Sequence, residues 1–150
     1  MVLQSRVASP ARAKIFLTCE SEDISPPLDW SDVPVGTKSF ALFCDDPDAP
    51  GGTWHHWAAY NIAGTQSSLP LDAGNRAQTL GFEHAVNDFE KPGYGGPCPP
   101  PGAPHHYHFR LLALSVDKLS VPDSTTCPEI ETEAAKHRLA EATLVGIFRR

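Results

Sequence analysis

Nowhere in this 150-residue chain do about 20 apolar side chains follow one another, so no membrane-spanning helix is expected. The opening MVLQSRVASPARAKIFLTCE does not build even the shorter apolar run of a secretory signal, and a cytoplasmic protein is the expectation. Basic charge is scarce as well. Lys and Arg number 12 against 18 Asp and Glu, a net charge of -6, which excludes the basic face that nucleic-acid binders turn to phosphates and makes an acidic partner surface a poor match. The four cysteines, Cys19, Cys44, Cys98 and Cys127, contain no Cys-x-x-Cys pair, so neither a zinc knuckle nor a thioredoxin-like motif is present. Free thiols are expected, with two disulfides in an exported protein as the alternative.

What is present reads mostly as strands in one domain, residues 1–150, with 41% hydrophobic residues and no linker composition. An apolar run over residues 13–19 comes first. The following ESEDISPPLDWSDVP carries prolines at 26, 27 and 34, which forbid a helix and favour an extended path, with Trp30 as a core plug under a turn. Residues 37–44, TKSFALFC, end in five consecutive apolar side chains, the mark of a strand covered on both faces near the middle of a sheet. In TWHHWAAYNI, residues 53–62, alternation puts Trp54, His56, Ala58, Tyr60 and Ile62 on one face and Thr53, His55, Trp57, Ala59 and Asn61 on the other. Residues 63–92 show no sustained period. A connection of that length is functional or loosely ordered, anchored here by residues 69–71 and 80–82, with NDF at 87–89 as a turn brought back toward the strand ends. Thr126 and Glu129 make a capping box with Pro128 in the first turn, opening a helix over residues 129–139 with Ile130, Ala134 and Leu139 inward. The tail EATLVGIFRR alternates as a closing strand.

The chemistry-bearing residues gather in two stretches of the same grammar. DDPDAPGGTWHHWAAYNI, residues 45–62, and GYGGPCPPPGAPHHYHFRLLAL, residues 93–114, each run from a proline-punctuated loop into a strand that opens on histidines, and together they hold five of the seven histidines. They read as two lips of one pocket. Asp46 and Asp48, two apart in extended backbone, project to the same side, although an Asx turn explains them equally. Gly93, Gly95 and Gly96 permit close approach while Pro97, Pro99, Pro100 and Pro101 stiffen the loop, leaving the Cys98 thiol hindered between prolines. His105 and Tyr107 point together over an apolar floor; His106, His108 and Arg110 fall on the opposite, solvated face. Imidazoles, a phenol and backbone amides beside Gly96 suit a small anion such as phosphate. The aspartates would repel that anion unless they hold the histidines protonated, or accept a ligand amine. A hydrolase using the Asp/His cluster is the enzymatic alternative, but neither stretch places Ser or Thr in an exposed elbow. Zinc is another, weakened because adjacent histidines diverge on a strand.

The motifs CESEDISPPLDW at 19–30, DDPDAPGGTWHHW at 45–57, and NDF followed by GYGGPCPPPGAPHHYHF at 93–109 resemble the phosphatidylethanolamine-binding protein family, in its bacterial Raf-kinase-inhibitor-like branch. The resemblance runs from about residue 17 to the end of the chain. It implies a mainly β fold, a large antiparallel sheet packed against a smaller one with one or two peripheral helices, and a non-catalytic pocket for phosphate-containing groups such as a lipid head group. Carried over position by position, that pocket falls on Asp46, Asp48, His56, Gly96, Cys98, Pro100, His105 and Tyr107. The likeness further implies a cis peptide at Ala49–Pro50, and a kinase or protease as protein target in some lineages. A small anion, a protein target of that kind and a second copy of the chain are the partners considered; no cofactor, metal, nucleic acid or integral membrane segment is expected. Many family members carry Arg where this chain has His106, which removes a two-point partner for an aspartate.

Overall fold

The computed structural model describes residues 1–6, 18–19 and 22–150. Its strands are β1 (Val2–Ser5), β2 (Leu28–Ser31), β3 (Ser39–Asp46), β4 (Trp54–Ala63), β5 (Ser68–Leu69), β6 (Glu83–His84), β7 (His105–Leu114) and β8 (Arg138–Phe148); its α-helices are α1 (Ala77–Leu80) and α2 (Cys127–Ala135). They form a five-stranded antiparallel sheet in the order β6-β4-β3-β7-β8 and a three-stranded one in the order β1-β2-β5. The architecture is the expected mainly β one. The apolar run at 13–19 lies, apart from Thr18 and Cys19, outside the described residues.

β3 is central because nothing along it needs water. All eight residues are buried, with Phe40, Leu42 and Cys44 facing Leu28, Trp30 and Leu69 of the small sheet, and Ala41 and Phe43 facing Ile130 and Ala134 of α2. Trp30 packs edge-on against Phe40 at 5.2 Å and donates its indole N–H to the Gln66 carbonyl, so the ring is buried without stranding its donor. β7 alternates as its sequence demands: Tyr107, Phe109, Leu111 and Ala113 enter the core between the sheets, while Leu112 and Leu114 face the helix side.

β4 departs from strict alternation. Its pairing with β3 slips between Cys44 and Asp45, which face Trp57 and His55, so His56 is the extra residue of a bulge; a second slip falls between Phe40 and Leu42, near Asn61 at φ 56°. As a result Trp57, Ala59 and Ile62 join the core between the sheets, while Ala58 and Tyr60 go to the helix side. The expected grouping of His56 with Ala58, Tyr60 and Ile62 is therefore wrong, because each bulge reverses the period. Residues 63–92 hold β5, a single 3₁₀ turn (Ala73–Asn75), α1 and β6, with Leu69 and Phe82 buried as anchors and Leu71 exposed. α2 has the expected capping box, but it stops at Ala135 and Leu139 lies exposed in β8. Among the described residues no helix is long and apolar enough to cross a membrane.

Candidate functional site

At one end of the large sheet a cavity of about 360 Å³ is lined by Asp46 from β3, Ala49 and Pro50 from the next loop, Trp54 and His56 from β4, Phe89, Cys98, Pro99 and Pro100 from the long loop, and His105 and Tyr107 from β7. The two histidine stretches do meet, and the bulge at His56 is what turns that ring to the cavity. Its Nδ1–H donates to the Gly95 carbonyl, and the Gly95 N–H returns a bond to the His56 carbonyl at 3.0 Å. Phe89 and Tyr107 pack edge-on against the same ring at 5.5 and 5.3 Å. His105 is braced differently: its Nδ1–H donates to Asp46 Oδ2 at 2.7 Å, while Asp46 Oδ1 accepts the Asp48 N–H at 2.9 Å. Both rings thus leave Nε2 uncommitted at the cavity.

Tyr107 is the third polar group. It is 2% exposed, lines the cavity, and its hydroxyl has no hydrogen-bond partner among the described residues. A buried hydroxyl in that condition costs free energy until something accepts from it. Burial pushes the phenol pKa up, so it remains a donor at any ordinary pH. Burial also pulls the His56 pKa down, against the raising effect of the Gly95 carbonyl, so near neutrality the ring is uncharged and Nε2 is an acceptor. The remaining walls are proline, alanine, aromatic carbon and the Cys98 disulfide, a mainly apolar surround for the few polar groups.

A sequence profile described as phosphatidylethanolamine-binding protein matches residues 7–149. The chain belongs to that family. A UPF0098 protein of Aquifex aeolicus is 43% identical over 134 residues, covering 89% of this chain and 78% of that one. Escherichia coli YbcL is 42% identical over 135 residues, 87% of this chain and 74% of its own. A crystal structure of YbcL, described as a new member of the mammalian PEBP family, matches with a TM-score of 0.89 at 36% identity, over 99% of this chain and 98% of that one. Mycobacterium tuberculosis LppC, which carries lipoprotein in its name, is 37% identical over 149 residues, 95% of this chain and 71% of its own.

Several of the residues expected from the family likeness are not where it put them. Asp48 is outside the cavity lining and half-exposed, accepting both the backbone N–H and the Nδ1–H of His106 at 2.8 and 2.7 Å. Those bonds to His106 hold its carboxyl below the usual range. His106 therefore supplies the two-point partner that the missing Arg was expected to remove. The amide of Gly96 is not available either, since it donates to Asp23 Oδ1 at 2.6 Å and the residue does not line the cavity. Cys98 lines the cavity but is not a hindered thiol: it is disulfide-bonded to Cys19, 79 residues earlier in the chain, whose N–H also donates to the Pro97 carbonyl at 3.2 Å. The Ala49–Pro50 bond is trans, as are all peptide bonds among the described residues; Pro50 sits at the second position of a turn closed by the Gly52 N–H on the Ala49 carbonyl at 3.0 Å, with Gly52 at φ 106°.

Trp54 and Phe89 were not expected in the pocket wall as named residues. Phe89 reaches it because the buried Asn87 side chain organises the turn, accepting the Phe89 N–H and donating to the Gly93 carbonyl, both at 2.9 Å. The Asn-Asp-Phe turn was the visible signal.

Proposed function

We propose that the protein is a non-catalytic binding protein whose pocket takes a small phosphate-type anion in its protonated, singly charged form. The observation that carries this is the unpartnered Tyr107 hydroxyl beside two braced imidazoles. A monoanionic phosphate group offers an oxygen to accept from Tyr107 and a P–OH to donate to a neutral Nε2. Asp46, already bonded to His105, disfavours a doubly charged group. Among the described residues no Ser or Thr lines the cavity and Cys98 is bridged, so the Asp46–His105 pair has no hydroxyl or thiol nucleophile there to activate. Calorimetric titration with phosphorylethanolamine and with inorganic phosphate tests the reading. Affinity is expected to rise from about pH 8 to about pH 5.5 as the phosphate group gains its proton while burial keeps His56 neutral, and to fall in Tyr107→Phe. A flat profile with an unchanged Tyr107→Phe would rule it out.

The Cys19–Cys98 bridge favours an oxidising compartment, because such bonds are rare in the cytosol. The lipoprotein name of LppC points the same way, and both weigh against the cytoplasmic expectation. Thiol counting on protein taken directly from its native cells tests this; four free thiols would refute it.

A further inference from the structure

Asp45, His55, His108 and Arg110 of the two histidine stretches take no part in that pocket. Each is sequence neighbour to, or alternates with, a pocket residue, so each faces the other side of the large sheet. There, with Pro47, Thr53 and Glu131 of α2, they line a separate cavity of about 360 Å³. Among the described residues lining it, Arg110 is the one permanent cation, and its terminal nitrogens are committed to Asp45 Oδ2 at 2.6 Å, Glu131 at 2.8 Å and Glu141 at 3.6 Å. Asp88 adds a further carboxylate behind His55, 2.9 Å from its Nδ1. Carboxylates thus outnumber the arginine.

The decisive feature is Asp45. Its side chain is only 8% exposed, and while Oδ2 takes Arg110, Oδ1 has no hydrogen-bond partner among the described residues. Burial pushes the carboxyl pKa up, against the lowering effect of Arg110, as expected of a charge whose compensation is incomplete. The His108 ring also has no hydrogen-bond partner among the described residues, and His55 keeps Nε2 free. An anion would meet the carboxylates with Arg110 already spent. A divalent metal is a poor fit, since no three His, Cys, Asp or Glu among the described residues are grouped to hold one. What the cavity lacks is a second positively charged hydrogen-bond donor beside Arg110.

We infer that this cavity is a second site, which takes a primary ammonium or guanidinium group. Such a group brings several N–H donors for Asp45 Oδ1, Glu131 and the imidazoles, and its alkyl stem would meet Pro47 and the Thr53 methyl.

The test is an NMR titration of the ¹⁵N-labelled protein at neutral pH with n-butylammonium, n-butylguanidinium and N-acetyl-lysine amide, with n-butanol and acetate as controls. Saturable shifts at the Asp45, His55 and His108 amides with the cations alone are expected. Asp45→Asn and Glu131→Gln are each expected to weaken the cation about tenfold or more, the worth of a charged hydrogen bond. Glu131 sits on the surface of α2, so its variant remains decisive if Asp45→Asn fails to fold. No saturation, an equal response to n-butanol, or undiminished affinity in folded Glu131→Gln would overturn the site. Binding of the lysine amide as tightly as the free amine would identify a protein lysine as the source of the charge; binding of the small cations only would identify a free amine.

Discussion

Two cavities of similar size lie back to back at the end of the large sheet, and they are built from adjacent residues of the same strands. Asp46, His56 and His105 serve one; Asp45, His55 and His108 serve the other. In the first, the carboxylate is used up by His105 and the Asp48 amide, so what remains is an unpartnered phenol and two free ring nitrogens inside an apolar box. In the second, carboxylates crowd one arginine and a buried oxygen stays bare. The opposite ligand preferences proposed for them would thus come from one motif, split by the pleat of the sheet. On that proposal, how far each carboxylate is already satisfied sets the sign of the guest.

The comparison breaks most severely at Arg110. Arg110→Met leaves Asp45 buried without its counter-charge and is expected to cost about 3–5 kcal/mol, read as a fall in the urea midpoint. A loss under about 1 kcal/mol would mean that Asp45 is not held by this pair. On the opposite side, Gly95→Ala would set a Cβ 2.4 Å from the Phe89 ring, which must then leave the His56 wall. Overpacking of that kind costs about 2–3 kcal/mol, and phosphate binding should weaken with it while butylammonium binding does not.

Acid separates the faces more gently. His84 accepts the Trp57 indole N–H at 3.0 Å, and burial pulls its pKa down to about 4. The folded state keeps this ring neutral while the unfolded chain protonates it from about pH 6.5 downward. Its stabilisation is therefore complete above about pH 6.5 and is lost as the pH falls toward about 4, amounting to about 2 kcal/mol after allowance for solvent screening. His56, also shifted down by burial, acts with the same sign. Urea midpoints across that range, in the parent and in His84→Asn, check this; an acid loss as large in the variant would exonerate His84. The smallest effect is the most telling. Tyr107→Phe removes a buried hydroxyl with no partner, so the empty protein should gain about 1 kcal/mol while phosphate binding weakens. A loss of stability would show that the hydroxyl is already satisfied.

The outline of the fold was legible in the chain because β3 and β7 obey simple rules: continuous apolarity for a strand covered on both faces, clean alternation for its neighbour. The placing of His105 and Tyr107 on one face was legible for the same reason, whereas His56 was reached only through the family resemblance. β4 was not, since a bulge is a pairing event between strands and leaves no mark in the period of either one. Nor was the destination of Asp48, where motif position suggested the pocket and the nearby His106 captured the carboxylate instead.

By itself the sequence determined that β3, β4, β7 and β8 are strands, which segments are stiff loops, and that histidines and aspartates stand at strand ends; these follow from local sterics and from the spacing of apolar side chains. Only the tertiary structure decided which face each of those side chains serves, that Phe89 closes the pocket, that Cys19 reaches Cys98, and that Arg110 is ringed by acids rather than solvated. Those outcomes depend on what distant segments bring within about 3 Å of a polar atom, and a hydrogen-bond deficit at Tyr107 or Asp45 exists only once every neighbour has taken its place.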